Sequence, residues 1–349
     1  VTWLLYGANG YTGTLIARLA VARGERPVLA GRSAPKVAAL ADELGLEHRV
    51  FGLADPDGVR QGLAGVTAVA HCAGPFSVTA GPMARACVNA GLHYVDITGE
   101  IEVFEELHGL HDRARAAGSV LLPGAGFDVV PTDCLAAMLS EALPGASRLD
   151  LAFLAGGGPS PGTAKTAVEG MRDGGKARID GVIKSVPFGW RTIRAEFPSG
   201  PRTVTSVPWG DVSTAYYSTG IRDITTYTAV PAAAVRANQL LGMHRLLRFG
   251  PAVQLAQAVA GRRVSGPDEQ RRARTRSEVW GRASADGERS VHAAMSMPNP
   301  YDVTADSVVR VMTRLSSVAP GTHTPSTAFG PRYITELDGV TLTGPGESG

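Results

Sequence analysis

"YGANGYTG", Tyr6 to Gly13, follows the apolar run Trp3-Leu4-Leu5, and its reading decides the fold of the first part of the chain. Gly7, Gly10 and Gly13 stand in a Gly-x-x-Gly-x-x-Gly frame, one residue away from the usual Gly-x-Gly-x-x-Gly. In a dinucleotide site one glycine permits the tight turn after the strand. Another lets the backbone approach the pyrophosphate, and a third lets the helix pack on the sheet. The helix start then presents N–H groups and a positive dipole end to phosphate. Asn9 and Thr12 add side-chain hydrogen bonds, and Tyr11 lies in the same loop. An ordinary turn is the rival reading. The context favours a nucleotide: strand before, helix after, alternation beyond.

That alternation runs from residue 3 to about 145. Apolar runs at Trp3–Tyr6, Val28–Ala30, Arg49–Leu53, Ala68–Cys72, Tyr94–Ile97 and Val120–Leu122 alternate with helix-period segments. The helical segments fall near 12–23, 35–45, 56–64, 80–90, 101–117 and 131–142. This predicts an α/β domain over residues 1–145, a Rossmann-type doubly wound parallel sheet. Past residue 147 the rhythm changes. Strands are expected at 148–155, 182–187, 191–197, 203–207, 213–218 and 224–230, apolar helices over 231–260, and a hairpin over 274–297 turning at Asp286-Gly287. Residues 146–303 therefore read as a second, α+β domain with a mixed or antiparallel sheet. Residues 304–317 read as an amphipathic helix N-capped by Thr304. With a following strand, over 304–340, it is expected to return to the first domain.

A chain of 349 residues suits two domains, and 44 % hydrophobic with 19 % charged residues suits a globular protein. The net charge of +2 gives no strong field for nucleic acid or anionic membranes. Cys72, Cys87 and Cys134 lack paired spacing, which argues against a disulfide framework and against a metal site. His108 and His111 share a helix face with Glu105, a metal-like spacing, but a solvated polar face is the preferred reading. The apolar stretch Pro231 to Gly261 is broken by Arg236, His244, Arg245 and Arg248, so no membrane span is expected. Neither a signal nor a transit peptide is expected, and the expected location is cytoplasmic.

The second strand ends in "AGRS", with Gly31, Arg32 and Ser33 about 20 residues past the glycine loop, the place where an acid reads a ribose 2′-hydroxyl and an arginine accommodates a 2′-phosphate. Arg32, with Ser33 beside it and Lys36 one turn on, points to NADP(H). Asp55 stands either near the adenine or as a helix N-cap before Pro56. The small residues Cys72, Ala73, Gly74 and Pro75, with Phe76, end the fourth strand, where the nicotinamide side of a cofactor lies in such a sheet.

Together, "YGANGYTG", "AGRS", "HCAGPFSVTAGPMARACVNAGLHYVDITGE" and "GAGFDVVPTD" resemble the saccharopine dehydrogenase-like reductases, nearest the bacterial trans-acting enoyl reductases. The likeness is specific over about 1–135 and looser beyond, where "GGGPSPGTA" and "THTPSTAFGPRYI" also look family-like. It implies an NADP-binding Rossmann domain, a second domain supplying most of the substrate pocket, hydride transfer and a homodimer. Carried onto this sequence, it places Thr98, Gly99 and Phe127 on the cofactor side, and the loop 156–165 facing the nicotinamide. Lys165 stands where the enoyl reductase branch is expected to have a small residue. It reads as a substrate anchor or proton donor, or as an exposed helix lysine.

A reductase must also deliver a proton, and Tyr94, Asp96, Glu100, Asp128 and Lys165 are the candidates near strand ends, with Tyr94, Asp128 and Lys165 carried as catalytic. Tyr94 and Asp96 are expected on opposite faces of their strand. Asp128 and Asp133 read equally as caps of the helix near Pro131, and Glu100 as a first-turn helix acid. No Tyr-x-x-x-Lys of the short-chain dehydrogenase kind occurs. Tyr216 and Tyr217 are expected in a strand, facing opposite ways, and Phe188, Trp190, Trp209, Met243, Met295 and Met297 read as core or as the lining of an apolar pocket. A saccharopine-type substrate would call on cations, for which Arg172, Lys176, Arg178, Lys184 and Arg222 are available. The expected function is NADPH-dependent hydride transfer to an activated double bond of a small or acyl-type substrate, with C=C conjugated to a carbonyl favoured. C=N reduction is the same-class alternative, and a non-catalytic NADP-binding sensor the alternative of another class.

Overall fold

Short apolar runs without polar alternation make strands that are buried on both faces. In the computed structural model, which describes residues 2–160, 174–230, 266–285 and 289–347, the four-residue runs nearest the sheet centre are buried at every position, as is the three-residue run Val120–Leu122. The four-residue runs are β1 (Trp3–Tyr6), β2 (Val28–Gly31) and β4 (Ala68–His71). With β3 (His48–Val50), β5 (His93–Asp96), β6 (Val120–Leu122) and β15 (Gly321–Thr322) they form a seven-stranded parallel sheet in the order β15-β6-β5-β4-β1-β2-β3. The intervening helices are α1 (Tyr11–Ala22), α2 (Ala34–Leu44), α3 (Pro56–Gly62), α4 (Phe76–Asn89), α5 (Ile101–His108) and α6 (His111–Ala116). Leu4, Tyr6, Val69 and Tyr94 pack with Met83, Cys87 and Leu107 on one face, and the alternate residues Trp3, Leu5 and Leu29 are buried on the other. The strand order reverses between β1 and β4, the switch point at which doubly wound sheets bind ligands.

The chain clusters into two units: Val1–Asp128 with Tyr301–Phe329, and Val129–Pro300 with Gly330–Gly349. The first holds the parallel sheet. The second holds a nine-stranded mixed sheet in the order β10-β11-β12-β7-β13-β14-β16, with β8 and β9 attached to β12. Its strands are β7 (Arg148–Leu154), β8 (Gly175–Ile179), β9 (Val182–Val186), β10 (Thr192–Phe197), β11 (Gly200–Ser206), β12 (Asp223–Thr228), β13 (Ser277–Ser284), β14 (Ser290–Met297) and β16 (Thr341–Glu347). Only the β12–β7 pairing among them is parallel. Helix α7 (Val130–Ala142) lies on this sheet at Gly281, where a Cβ would stand 2.8 Å from Leu139 Cδ1 and 3.1 Å from Leu135 Cδ2. On the other face Trp280, Tyr227, Phe197 and Val204 form a core. Among the described residues no helix is long and apolar enough to cross a membrane.

Several elements differ from expectation. Residues 213–218 lie in helix α8 (Asp211–Thr219), not in a strand. Asp211 and Ser218 stand at helical spacing and bond with α7: Thr132 Oγ1 donates to Asp211 Oδ2 (2.8 Å), and the Ser218 hydroxyl donates to Asp133. Tertiary pairing overrides the β-propensity of the Thr- and Tyr-rich run. Tyr216 consequently lies under the Arg178 guanidinium at 4.2 Å, and Tyr217 is 39 % exposed. Strand β8, unforeseen, forms a hairpin with β9 through Asp180-Gly181. The 101–117 segment is two helices, broken at Gly109 and Leu110. Beyond α9 (Glu269–Arg274), helix α10 (Pro300–Arg314) starts at Pro300, a residue suited to the first helical position, so Thr304 is inside it and caps nothing. The helices expected over 231–260, the Asp286-Gly287 turn, Arg172 and Met243 lie outside the described residues.

Candidate functional site

Gly7 turns the chain at the end of β1 with a φ of +83°, and a Cβ on it would stand 2.8 Å from both Ala73 N and Cys72 C. The glycine loop and the loop after β4 therefore touch backbone to backbone at the switch point. Gly7 N and Ala8 N donate to Ala30 O (2.8 and 3.1 Å), and Gly10 N donates to Gly7 O (2.9 Å). Gly13 closes the loop from above, since its Cβ would stand 2.9 Å from Ala8 Cα. Gly10 occupies the N-cap of α1 and has no side chain to bond the first-turn N–H groups of Tyr11, Thr12 and Gly13. Those donors and the open cradle fit the pyrophosphate of a dinucleotide. The Asn9 amide lies against the end of β2, where a Cβ at Gly31 would stand 2.9 Å from Asn9 Oδ1.

Arg32 follows Gly31 with its side chain exposed. Its charge pulls down the Tyr6 hydroxyl pKa, which burial raises more. Ser33 is the N-cap of α2 and makes no side-chain cap bond there, while Lys36 is exposed in the first turn. A guanidinium, a hydroxyl and an ammonium thus gather at one helix start, the donor set a 2′-phosphate needs. Asp55 Oδ1 accepts from Asp57 N (3.1 Å), making it the cap of α3.

The loops after β4, β5 and β6 are joined by carboxylates. Asp96 Oδ1 accepts from Thr98 N (3.0 Å) and Gly124 N (2.9 Å), and its Oδ2 accepts from the Tyr94 hydroxyl (2.8 Å). Tyr94 and Asp96 therefore share a face, contrary to expectation: residues two apart on a strand point the same way. Both are buried, and burial pushes Asp96 up to about 6 and Tyr94 well above the usual phenol range. Thr98 Oγ1 accepts from Glu100 N (3.1 Å). Glu100 precedes α5, but its carboxylate accepts from Phe76 N (3.0 Å) and Ser77 N (2.6 Å), the start of α4. Thr79 Oγ1 donates to Ala73 O (2.7 Å) or Pro75 O (2.9 Å) and faces His71 Nε2 at 3.0 Å. With that hydroxyl proton spent on a carbonyl, the network assigns the imidazole proton to Nε2. Burial drops His71 to about 3, so it is neutral, and its Nδ1 is a buried acceptor without a hydrogen-bond partner among the described residues.

Asp128 closes the group. A Cβ at Gly99 would stand 3.1 Å from Asp128 Oδ2, so this carboxyl lies against the Thr98–Gly99 turn. Helix α7 begins beyond it, with Val129 in the cap position. Burial pushes Asp128 up to about 6, which leaves part of its population protonated near neutrality. Phe127 is buried, and its N–H donates to Thr304 Oγ1 (2.9 Å). The structure thus gathers Cys72–Phe76, Thr98, Gly99, Phe127 and Asp128 at neighbouring strand ends. Tyr94 is sealed below them with its proton on Asp96, and Lys165 lies outside the described residues. The bond between Phe127 and Thr304 has no sequence signal, because groups 177 residues apart meet only through the fold.

Elsewhere, His108 Nδ1 meets Phe104 O (2.9 Å) and His111 Nδ1 accepts from Thr322 N (3.1 Å), so the two imidazoles have separate structural partners. In the second unit Met295 and Met297 are core, and the Trp209 ring stacks on Phe153 at 4.2 Å.

Residues 3–122 match the model of the saccharopine dehydrogenase NADP-binding domain. About the first third of the chain is therefore similar to the NADP-binding domain of the saccharopine dehydrogenases. A putative trans-acting enoyl reductase of Mycobacterium tuberculosis (strain ATCC 25618 / H37Rv) is 36 % identical over 138 residues, 37 % of this chain and 33 % of that protein. The saccharopine dehydrogenase-like oxidoreductase of Rattus norvegicus is 26 % identical over 227 residues, 56 % of this chain and 52 % of that protein. The matched regions span about half or less of these relatives' length. Apo saccharopine dehydrogenase (L-Glu forming) from Saccharomyces cerevisiae superposes over 98 % of this chain and 100 % of its own with a TM-score of 0.64 and 12 % identity, a likeness of fold. The family match assigns NADP(H) to the first domain, in agreement with the cradle at Gly7–Gly13 and the cations at Arg32 and Lys36.

Proposed function

We propose that the protein is an NADPH-dependent reductase of a double bond activated by a carbonyl, acting on a small or acyl-type substrate. The observation that carries this reading is Asp128: a carboxyl held near pKa 6 by burial, set against Gly99 where three strand-end loops meet. Such a group holds a proton near neutral pH and can give it up. The bound cofactor supplies the hydride. The glycine loop binds phosphate, Arg32 reads the 2′-phosphate, and the Cys72–Phe76 and Thr98–Gly99 backbones form the wall on the nicotinamide side.

Engagement of two candidate cations, Arg178 and Arg222, supports C=C over the C=N chemistry of saccharopine formation. A dicarboxylate amino-acid substrate needs available guanidinium groups. Arg178 donates to Val212 O and Gly181 O (both 2.9 Å), and Arg222 donates to Asp180 O (2.9 Å). The enoyl reductase likeness at 36 % identity supports the same choice. A homodimer through the second domain and a reducing, cytoplasmic setting, consistent with three free cysteines, complete the proposal.

NADPH consumption against enoyl thioesters, cyclic imines and amino acid plus aldehyde pairs tests it. Turnover of the thioesters alone is expected. Turnover of imines alone transfers the assignment to C=N. No turnover, with tight NADPH binding and a stable protein partner, makes the chain a sensor. Asp128→Asn is expected to lower turnover about 10²-fold while leaving NADPH affinity in place.

A further inference from the structure

The start of α4 is held in an unusual way. Its N-cap is Pro75, which has no side-chain acceptor. Such N–H groups are ordinarily bonded by the cap residue itself. Here the acceptor is Glu100, 24 residues away in the loop after the next strand, and it bonds two successive N–H groups, those of Phe76 and Ser77. The same loop is anchored in turn. Glu100 N donates to Thr98 Oγ1, Thr98 N donates to the Asp96 carboxylate, and Asp96 also holds Gly124 N. One continuous chain of hydrogen bonds therefore runs across the ends of β4, β5 and β6. Every link is a side chain to a backbone N–H, so what it fixes is loop path.

We propose that Glu100 is a positioning residue for the dinucleotide: it locks the Cys72–Phe76 loop to the Thr98–Gly99 turn and so pre-forms the nicotinamide half of the site before ligand arrives. Charge-assisted bonds to two backbone groups are strong enough for this task. Fixing a loop in its bound path removes an ordering cost from binding. The adenosine half stands on supports of its own: Gly7 N and Ala8 N are held by Ala30 O, Gly10 N by Gly7 O, and Arg32 extends from the end of β2. The effect of Glu100 should therefore be confined to one half of the cofactor. This inference rests on the assignment of loop 72–76 to the nicotinamide side.

Two ligands separate the halves: NADPH, and 2′,5′-ADP, which carries the 2′-phosphate but no nicotinamide. Affinities are measured by titration calorimetry for the wild type, Glu100→Ala and Glu100→Gln. Glutamine keeps the shape but turns an amide donor toward one of the two N–H groups. Both variants are expected to bind NADPH about tenfold more weakly, about 1.4 kcal/mol, and 2′,5′-ADP within about twofold of wild type. Equal weakening of both ligands would make Glu100 a fold-stabilising residue only and overturn the proposal, as would unchanged NADPH affinity. Wild-type protein that binds NADPH no tighter than 2′,5′-ADP overturns instead the assignment of the 72–76 loop, and the proposal with it. Thermal unfolding of both variants confirms that a folded chain is being titrated.

Discussion

The ring of Tyr301 meets the ring of Tyr11 edge-on, with centroids 4.8 Å apart. Tyr11 is the first residue of α1, in the glycine loop, and Tyr301 lies in the first turn of α10, near the end of the chain. Thr304 on that helix holds Phe127 N, and Asp306 pairs with Arg23 at the far end of α1. The late helix thus braces the phosphate loop at one end and the helix behind it at the other. Tyr301 is buried, so Tyr301→Ala removes both burial and a ring contact. It is expected to cost about 3 kcal/mol in urea denaturation, against less than about 1.5 kcal/mol for Tyr301→Phe, which keeps the ring. NADPH affinity should fall in the alanine variant and hold in the phenylalanine variant.

Arg32 gives the opposite separation of stability from binding. Its side chain is exposed, and so its removal should change stability by no more than about 0.5 kcal/mol. A guanidinium paired with a 2′-phosphate is worth far more to the ligand. Arg32→Ala is expected to weaken NADPH about tenfold or more and NADH hardly at all, read as a ratio of dissociation constants. An unchanged ratio would remove Arg32 from the 2′-phosphate site.

The first domain was legible because its signals are local: the glycine frame, the apolar runs and Arg32 each lie within one strand–turn–helix. The second domain resists such reading where long-range pairing decides. Residues 211–219 carry strand-forming types, and their helix is fixed by Thr132 and Asp133 from another part of the chain. The β8–β9 hairpin did carry a signal. Asp180-Gly181, with φ of +55° and +80°, is a two-residue turn between Ile179 and Val182, the Asp-Gly signature of a hairpin. The segment before it, "GKARI", has few apolar residues and so carries no strand pattern of its own. Glu100 looked like a helix acid because sequence shows the helix it precedes and hides the helix it caps. Thr304 looked like a cap because the pattern starts there, while Pro300 starts the helix.

Asp96 ties stability to pH. Its folded pKa is about 6 against an ordinary 3.8, so the folded state binds the proton more tightly than the unfolded chain. The stabilisation is complete below pH 3.8 and is lost as pH rises to about 6. Over that window the loss is on the order of 3 kcal/mol. Asparagine can accept from Thr98 N and Gly124 N and donate to the Tyr94 oxygen, with no charge to bury. Asp96→Asn should therefore gain on the wild type by that amount between pH 4 and 6, roughly, in thermal or urea unfolding. Asp128, shifted the same way, keeps its own slope in the variant. A difference between the two proteins that does not vary with pH would show that Asp96 titrates normally.

Gly281 tests the packing of the second sheet against α7. An alanine in a strand ordinarily gains roughly 0.5 to 1 kcal/mol over glycine through the unfolded chain. Here its Cβ would stand 2.8 Å from Leu139 Cδ1 and 3.1 Å from both Leu135 Cδ2 and Leu151 Cδ2. All three leucines are buried, so the added methyl has to displace a packed neighbour. Overpacking of this kind costs about 1 to 3 kcal/mol and outweighs the entropic gain. Leu139→Ala alone opens a cavity and should cost about 2 to 5 kcal/mol. In the double variant the new methyl moves into the space the leucine vacates. The two losses should then sum to less than their separate values by about 1 kcal/mol or more, a coupling measured by a double-mutant cycle in urea. Strict additivity would mean that the backbone of β13 shifts to admit the methyl, and that Gly281 is not the point that sets the distance between helix and sheet.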